Sequence, residues 1–263
     1  MEKDFFRYGR AFFYATSLFF RSFKILKHKS IKFWLSTKRD VQVEVDGNKF
    51  LVRSGNLANK ISDIYMIFEC VADKQYNPAG FEIKDNYTII DIGGHIGAFS
   101  VYAARLDKNG KVYSYEPDIY NFSQLEKNVK LNGLKNIKIF NKAVSDRLGK
   151  VKLYRDKLNP AENTMYRKSN TFSIVNSVPL EEIFLSNKIT SCDFLKMDTE
   201  GAEYDIILNT PKNILGKIGK IACEYHNIKD RSSGILEKFL VENGYKIRTM
   251  KANNYRGIIY ASR

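Results

Sequence analysis

The sequence holds no pair of cysteines at metal-binding spacing. Cys70, Cys192 and Cys223 stand alone, which excludes a C-x-x-C zinc site. Cys192 and Cys223 fall in apolar strand-like runs, as buried free thiols in a reducing compartment do. No internal repeat and no low-complexity tract interrupts the 263 residues, so repeat architectures are set aside. No apolar run is long enough to span a bilayer. Ala11–Phe20 is about half the required length, and Arg21 and Lys24 close it. Glu2 and Asp4 lie ahead of that stretch and argue against a secretory leader. These absences predict a cytoplasmic protein.

What is abundant is positive charge. The formal net charge is +14, and residues 1–40 supply half of it, with ten Lys or Arg against three acids. Such an excess attracts nucleic acid, anionic lipid, sugar phosphates or acidic glycans. Within 4–36 the cations are mixed with Phe, Tyr, Trp and Leu. That composition suits a helical arm, which either lies in a membrane interface or packs its aromatic face on the catalytic domain or a second subunit. An anionic membrane surface reached through residues 1–40 at the inner face of the membrane, and a homodimer, are therefore candidate partners.

The length suits one sizeable α/β domain with an extension. Val41–Val45 and Lys49–Arg53 alternate about Asp46-Gly47-Asn48 and predict a β-hairpin. Asn59–Asp73 has helical spacing. From Tyr87 the pattern alternates. Strands are predicted at Tyr87–Ile92, Lys111–Tyr115, Ile137–Phe140, Cys192–Met197 and Ile218–Glu224, with a terminal pair at Tyr245–Met250 and Tyr255–Ala261. Helices are predicted at Ile96–Leu106, Asp118–Leu131, Pro179–Leu185, Ala202–Leu208 and Ile235–Glu242, and Lys150–Tyr154 is an extra strand. Asn159–Asn176 reads as a polar, irregular, substrate-facing loop. The expected fold is α/β, a doubly wound, mostly parallel seven-stranded sheet of Rossmann-like type. Three regions follow: a basic arm (1–40), a hairpin and helix extension (41–80) and the main domain (81–263).

In such a sheet ligands bind beyond the carboxyl ends of the strands. The first strand ends in Asp91-Ile92-Gly93-Gly94-His95-Ile96-Gly97, a glycine turn opening a helix whose N-terminus favours an anionic group. The second ends in Tyr115-Glu116-Pro117, where an acid can accept both hydroxyls of a ribose. Together they point to a nucleoside-containing ligand. The dinucleotide fingerprint G-x-G-x-x-G is broken at Ile92, and D-x-G-G-x-x-G is the methyltransferase form of the loop.

These two motifs, with Asn128 and Asn132, Ala143-Val144-Ser145-Asp146, the run Leu195-Lys196-Met197-Asp198-Thr199-Glu200-Gly201-Ala202-Glu203, and Glu224-Tyr225-His226, resemble the FkbM family of S-adenosylmethionine-dependent methyltransferases. The resemblance covers roughly residues 60–230, and K-x-D-x-E-G-x-E is its most specific piece. The family usually has Ala-Asn where this chain has Gly94-His95, a change in the loop's finer contacts. The resemblance implies a class I methyltransferase fold, S-adenosyl-L-methionine as cofactor, and O-methylation of a macrolide or sugar hydroxyl, often in polysaccharide or glycolipid synthesis. By the same resemblance Asp91, Gly93 and Gly97 shape the pocket around the methionine part, with Gly94 and His95 in the same cofactor-binding loop, where His95 either touches the cofactor carboxylate or faces water. Glu116 holds the ribose, with Pro117 beside it, Ala143 and Val144 lie against adenine, and Asp198 stands beside the activated methyl.

A substrate hydroxyl is a poor nucleophile and benefits from a general base. Glu200, Glu203 and His226 are the candidates beside Asp198. Glu200 and Glu203 are three apart at a predicted helix start and would share a face, and the ordinary range of His226 suits proton removal. Carboxylates and imidazole are also metal ligands, but no metal is assigned. Two other functions compete. An RNA methyltransferase would use the basic arm, yet the chain lacks the Asn/Asp-Pro-Pro-aromatic motif of base methylation, and acids at the mouth repel phosphate, so nucleic acid is not an expected partner. A non-catalytic, membrane-associated S-adenosylmethionine-binding module is the other.

Overall fold

The apolar runs from residue 88 onward become the strands of one main sheet, and the described part of the chain before them packs against one of its faces. The computed structural model describes residues 16–155, 163–166, 169–228 and 230–263. The predicted helical positions 4–15 and residues 159–162, 167 and 168 of the predicted irregular loop lie outside them.

Two helices come first, α1 (residues 16–26) and α2 (Lys29–Leu35). Lys27, with φ of 53°, turns the chain between them. Strands β1 (Asp40–Val45) and β2 (Asn48–Arg53) then pair antiparallel. Their two-residue turn puts Asp46 and Gly47 at φ of 47° and 74°, the left-handed geometry that matches strand twist and that Asp-Gly tolerates. Helix α3 (Leu57–Ile67) starts where the Asn56 side chain accepts from Ala58 N and Asn59 N, and it runs straight into a π-helical turn at Phe68–Ala72.

The main domain follows as β3 (Thr88–Ile92), α4 (Ala98–Leu106), β4 (Lys111–Tyr115), α5 (Ile119–Leu131), β5 (Ile137–Phe140), β6 (Ala143–Val144), β7 (Gly149–Tyr154), β8 (Phe172–Val178), α6 (Leu180–Ser186), β9 (Cys192–Met197), α7 (Glu203–Asn209), α8 (Lys212–Leu215), β10 (Ile218–His226), α9 (Ser233–Glu242), β11 (Lys246–Lys251) and β12 (Arg256–Ser262). The sheet order is β11-β12-β10-β9-β3-β4-β5. β5, β4, β3, β9 and β10 are parallel, and β12 runs antiparallel to both β10 and β11. The chain winds outward from β3 to β5 and returns to lay β9 on the other side of β3, so the switch point falls between β3 and β9. This is the doubly wound seven-stranded fold that the alternation predicts.

Strand periodicity divides the core. Ile89 and Phe194 face one side with Phe99 and the extension's Phe33, Phe50, Ile64 and Phe68. Ile90, Leu195 and Ile221 face the other with Ile206, Leu236 and Leu240. The extension therefore supplies half of the cover of one sheet face. One expectation is corrected: within Asn159–Asn176, Phe172 onward is strand, pairing with β7 from Tyr154↔Phe172 to Gly149↔Ser177. Phe172, Ile174 and Asn176 face solvent while Ser173 and Ser177 point inward, so the usual alternation of apolar inside and polar outside is inverted and disguised the strand. Among the described residues no helix is long and apolar enough to cross a membrane.

Candidate active site

The glycine turn after β3 is forced by crowding. Gly93 has φ of 82°, and a Cβ there would stand 1.8 Å from the Asp198 carbonyl oxygen. A Cβ on Gly94 would stand 2.4 Å from Ser114 Oγ. The ends of β3, β4 and β9 can therefore converge only around glycine. Gly93 N and Gly94 N both donate to Tyr115 O at 3.0 Å, and Gly97, with φ of 86°, opens α4.

Beneath this loop lies a buried ion pair. Asp91 is fully buried, and its carboxylate takes Lys196 Nζ at 3.2 Å and the Ser100 hydroxyl. Lys196 Nζ also donates to Gly93 O at 2.7 Å. Burial alone would lower the Lys196 pKa, but Asp91 and Asp198 overcome it and raise it, so the lysine is a cation. Asp91 thus acts on the loop from below, through Lys196 and Ser100.

Above the loop, Glu116 is clamped by backbone. Its Oε2 accepts from His95 N at 2.8 Å and its Oε1 from Asp118 N at 2.8 Å. Burial pushes its carboxyl up to about 7, with the Asp118 and His95 N–H groups pulling the other way. Pro117 follows, and Asn141 donates to the carbonyls of both Glu116 and Pro117. His95 is buried, and burial followed by Arg53 and Lys196 holds it well below the ordinary imidazole range. Its Nε2 lies 3.4 Å from Ser62 Oγ, and its Nδ1 has no hydrogen-bond partner among the described residues. Asp118 and Asn121, which border Glu116, also line a cavity of about 440 Å³ closed by Arg53, Asn59, Arg155 and Thr171. That volume lies in the range of small-molecule sites. Ala143 and Val144 form the short β6, buried and paired to Ser177 and Val178.

The residues here fit a nucleoside sulfonium cofactor. The glycines let the ends of β3, β4 and β9 close up beside the loop, Glu116 offers a preset carboxylate for a diol, and His95 Nδ1 is a buried polar atom with no partner among the described residues.

A second group of side chains stands at the ends of β9 and β10. Tyr76 is fully buried, and its hydroxyl donates to Glu224 Oε2 at 3.0 Å and Asp198 Oδ2 at 3.3 Å. Arg256 Nη1 donates to Glu224 Oε1 at 3.2 Å. Glu69, from the π-helical turn, is pushed up to about 9 by burial and then by Glu224. His226 lies among three carboxylates: Glu203 at 3.3 Å from Nδ1, with Glu200 at 3.6 Å and Glu224 at 3.7 Å from Nε2.

The structure brings Asp198, Glu200, Glu203 and His226 into one neighbourhood but gives them unequal parts. Glu200 and Glu203 do not share a helix face. Glu200 sits at φ of 51° and Gly201 at 110°, so the chain turns sharply and α7 begins only at Glu203. Glu203 is sealed, its oxygens accepting from Gly201 N, Thr199 Oγ1 and His226 N at 2.8, 3.0 and 2.6 Å. Burial works against charge on His226, but Glu200, Glu203 and Glu224 together raise its pKa well above the ordinary imidazole value. It is therefore an imidazolium at neutral pH, with no lone pair for a substrate proton. Glu200 keeps 19% of its side chain exposed, more than Glu203 or Glu224. Asp198, Glu224 and His226 each offer a ligand atom within 4.8 Å of the others, though Tyr76 and Arg256 already hold Glu224 and the imidazolium already balances the acids.

Sequence reasoning quoted Lys196 and Glu224 only within the family motifs, without a role, and did not name Tyr76, Arg256 or Glu69. A further signal existed for two of them. Lys196, between Leu195 and Met197, and Glu224, between Cys223 and Tyr225, are charges set among buried apolar neighbours in parallel strands, and such charges need buried partners. Tyr76 and Arg256 gave none.

Residues 91–247 match the family described as the methyltransferase FkbM domain. "Methyltransferase 1" of Beauveria bassiana is 24% identical over 173 residues, 58% of this chain and 69% of that protein. Among solved structures, a precorrin-6y C5,15-methyltransferase from Geobacter metallireducens is 14% identical with a TM-score of 0.44, covering 68% of this chain and 81% of that one. A SAM-dependent methyltransferase from Aquifex aeolicus is 14% identical with a TM-score of 0.40, over 72% and 86%.

Proposed function

Because the chain belongs to the FkbM methyltransferase-domain family, we propose that it transfers the methyl group of its cofactor to a hydroxyl of a sugar, glycan or glycolipid. The cofactor is S-adenosyl-L-methionine, which supplies an activated methyl. Glu116 would hold its ribose, the Gly93–Gly97 turn its methionine part, and Ala143 and Val144 its adenine.

The observation that carries the acceptor class is the mouth beside that turn. Asp198, Glu200 and Glu224 gather there among the described residues, with His226 and Arg256 paired to Glu200 and Glu224 and with Arg231 held on the Gly201 carbonyl and on Asp205. Carboxylates accept hydrogen bonds from several hydroxyls at once, and they repel phosphate. Glu200, the most open of the three acids around His226, takes the hydroxyl proton. His226 keeps Glu200 ionised until then, and Glu203 fixes the backbone of His226. The largest contribution is alignment of the hydroxyl with the methyl.

The test is methyl transfer from radiolabelled S-adenosylmethionine to parallel panels of oligosaccharides, glycolipids, RNA and protein. Carbohydrate product is expected, in a bond stable to alkali as an ether is. Label appearing only in RNA or protein overturns the reading. Glu200→Gln is expected to lower kcat by about 10²–10⁴-fold while leaving cofactor affinity unchanged.

A further inference from the structure

We propose that the outer face of the α1–α2 helical hairpin docks the protein on an anionic lipid surface.

The hairpin has two unlike faces. Leu18, Ser22 and Leu26, at four-residue spacing in α1, are buried with Ser30 and Phe33 of α2. Arg21 pairs with Asp73 and lies over the Phe68 ring. Lys60 Nζ donates to Ser36 O at 2.8 Å, and Trp34 Nε1 donates to Ser22 Oγ at 2.8 Å, tying the two helices together. This face is fixed to the body. The other presents large apolar side chains: Phe20 is 70% exposed, Ile31 55% and Leu35 77%, with Phe19 and Phe23 beside them. Single exposed apolar residues are ordinary, but five within seventeen positions of sequence form a patch that asks for an occupant.

Charge identifies the occupant. Lys24, Lys27, Lys29, Lys32 and Lys38 are exposed around the patch, and no Asp or Glu occurs from residue 5 to residue 39. A second copy presenting the same cations would repel the first. Nucleic acid would satisfy the lysines and could stack on phenylalanine, but Ile31 and Leu35 would gain nothing from phosphate or base edges. A boundary of anionic headgroups over hydrocarbon satisfies both parts, with lysines at headgroup level and Phe20, Ile31 and Leu35 dipping below. Among the described residues neither helix is long and apolar enough to cross a bilayer, so the hairpin would lie along it.

Trp34, the sole tryptophan of the chain, is half-buried at the border of the two faces, its ring 5.8 Å from that of exposed Phe19, and so reports on the outer face. The full-length protein is mixed with vesicles of phosphatidylcholine alone, or of equal parts phosphatidylcholine and phosphatidylglycerol, and sedimented. Trp34 emission is then followed with brominated acyl chains. Sedimentation with the anionic vesicles only, with quenching of Trp34, is expected. Phe20→Ser/Ile31→Ser/Leu35→Ser is expected to weaken partitioning at least tenfold, as is Lys24→Glu/Lys27→Glu/Lys32→Glu. Both alter exposed side chains, and an unchanged thermal midpoint certifies the fold. Equal sedimentation of wild type and both variants overturns the proposal, as does failure to sediment or sedimentation without quenching. So does a wild-type dimer that the serine variant splits, or RNA binding that the serine variant loses while vesicle binding is absent.

Discussion

Glu116 is held in a state that a ligand would change. Two backbone N–H groups favour its charge, yet burial outweighs them and leaves the carboxyl at about 7, so near pH 7 roughly half the molecules carry its proton. Hydrogen bonds from ribose hydroxyls would stabilise the ionised form. Cofactor binding near pH 7 is therefore expected to release up to about half a proton. Calorimetry in buffers of different ionisation enthalpy reads this directly, and Glu116→Gln should abolish the buffer dependence while weakening affinity. A wild-type binding enthalpy independent of buffer would show that the carboxylate does not meet the ligand. The residue scale is also where sequence reading reached furthest and then failed. Glu116, the glycine turn and the acids after β9 stand at strand ends, where topology alone places function. Which of those acids is sealed and which is open depends on the reversal at Glu200 and Gly201, and on a histidine trapped between carboxylates. Neither has a local signature.

At the scale of elements, β3 and β9 are bound by more than their ladder. Lys196 of β9 reaches across to Asp91 of β3 and to the Gly93 carbonyl, and the Asp198 carbonyl occupies the space a Gly93 side chain would need. The switch point is thus cross-linked by a buried charge pair. Lys196→Met would keep the volume but leave Asp91 buried and unpaired. The expected loss is about 3–5 kcal/mol of stability, measured by denaturant unfolding, and Asp91→Asn in the same chain should recover part of it. A loss under about 1 kcal/mol would mean that water or another group replaces the lysine. The elements themselves were legible. Every strand of the main sheet falls within two residues of its sequence boundaries, because strands buried on both faces read as apolar runs. β8 was hidden because apolar Phe172 and Ile174 face solvent while Ser173 and Ser177 face inward, and the continuation of α3 as a π-helical turn was hidden because a single such turn is too short to show in the apolar pattern.

For the whole molecule, the buried ionisable groups bias stability toward mildly acid pH. Glu116, at about 7, and Glu69, at about 9, hold protons in the fold that the unfolded chain releases near pH 4.5. Burial, the first cause in both, also raises Asp63 and Glu224. A carboxyl whose folded pKa is raised contributes stability that is complete below its unfolded pKa and is lost as pH rises through the folded one. His226, raised by its carboxylates, adds to the same trend above about 6.5. His95 opposes it. Its folded pKa is lowered, so its contribution is present above about 6.5 and is lost as pH falls. The net charge of +14 hardly changes the balance, because surface charges are screened by salt. The ligand-free protein is expected to show its highest thermal midpoint between about pH 5 and 6 and to lose stability steadily toward pH 9. Glu69→Gln should flatten the limb across about pH 4.5 to 9, including above about 7 after Glu116 has ceased to contribute, since the amide has no proton to release. Saturating cofactor should flatten the limb between about 5 and 7, because it restores partners to an ionised Glu116. A midpoint that rises from pH 6 to pH 9 in the ligand-free protein would show that these carboxyls are ionised in the fold, and that solvent reaches them.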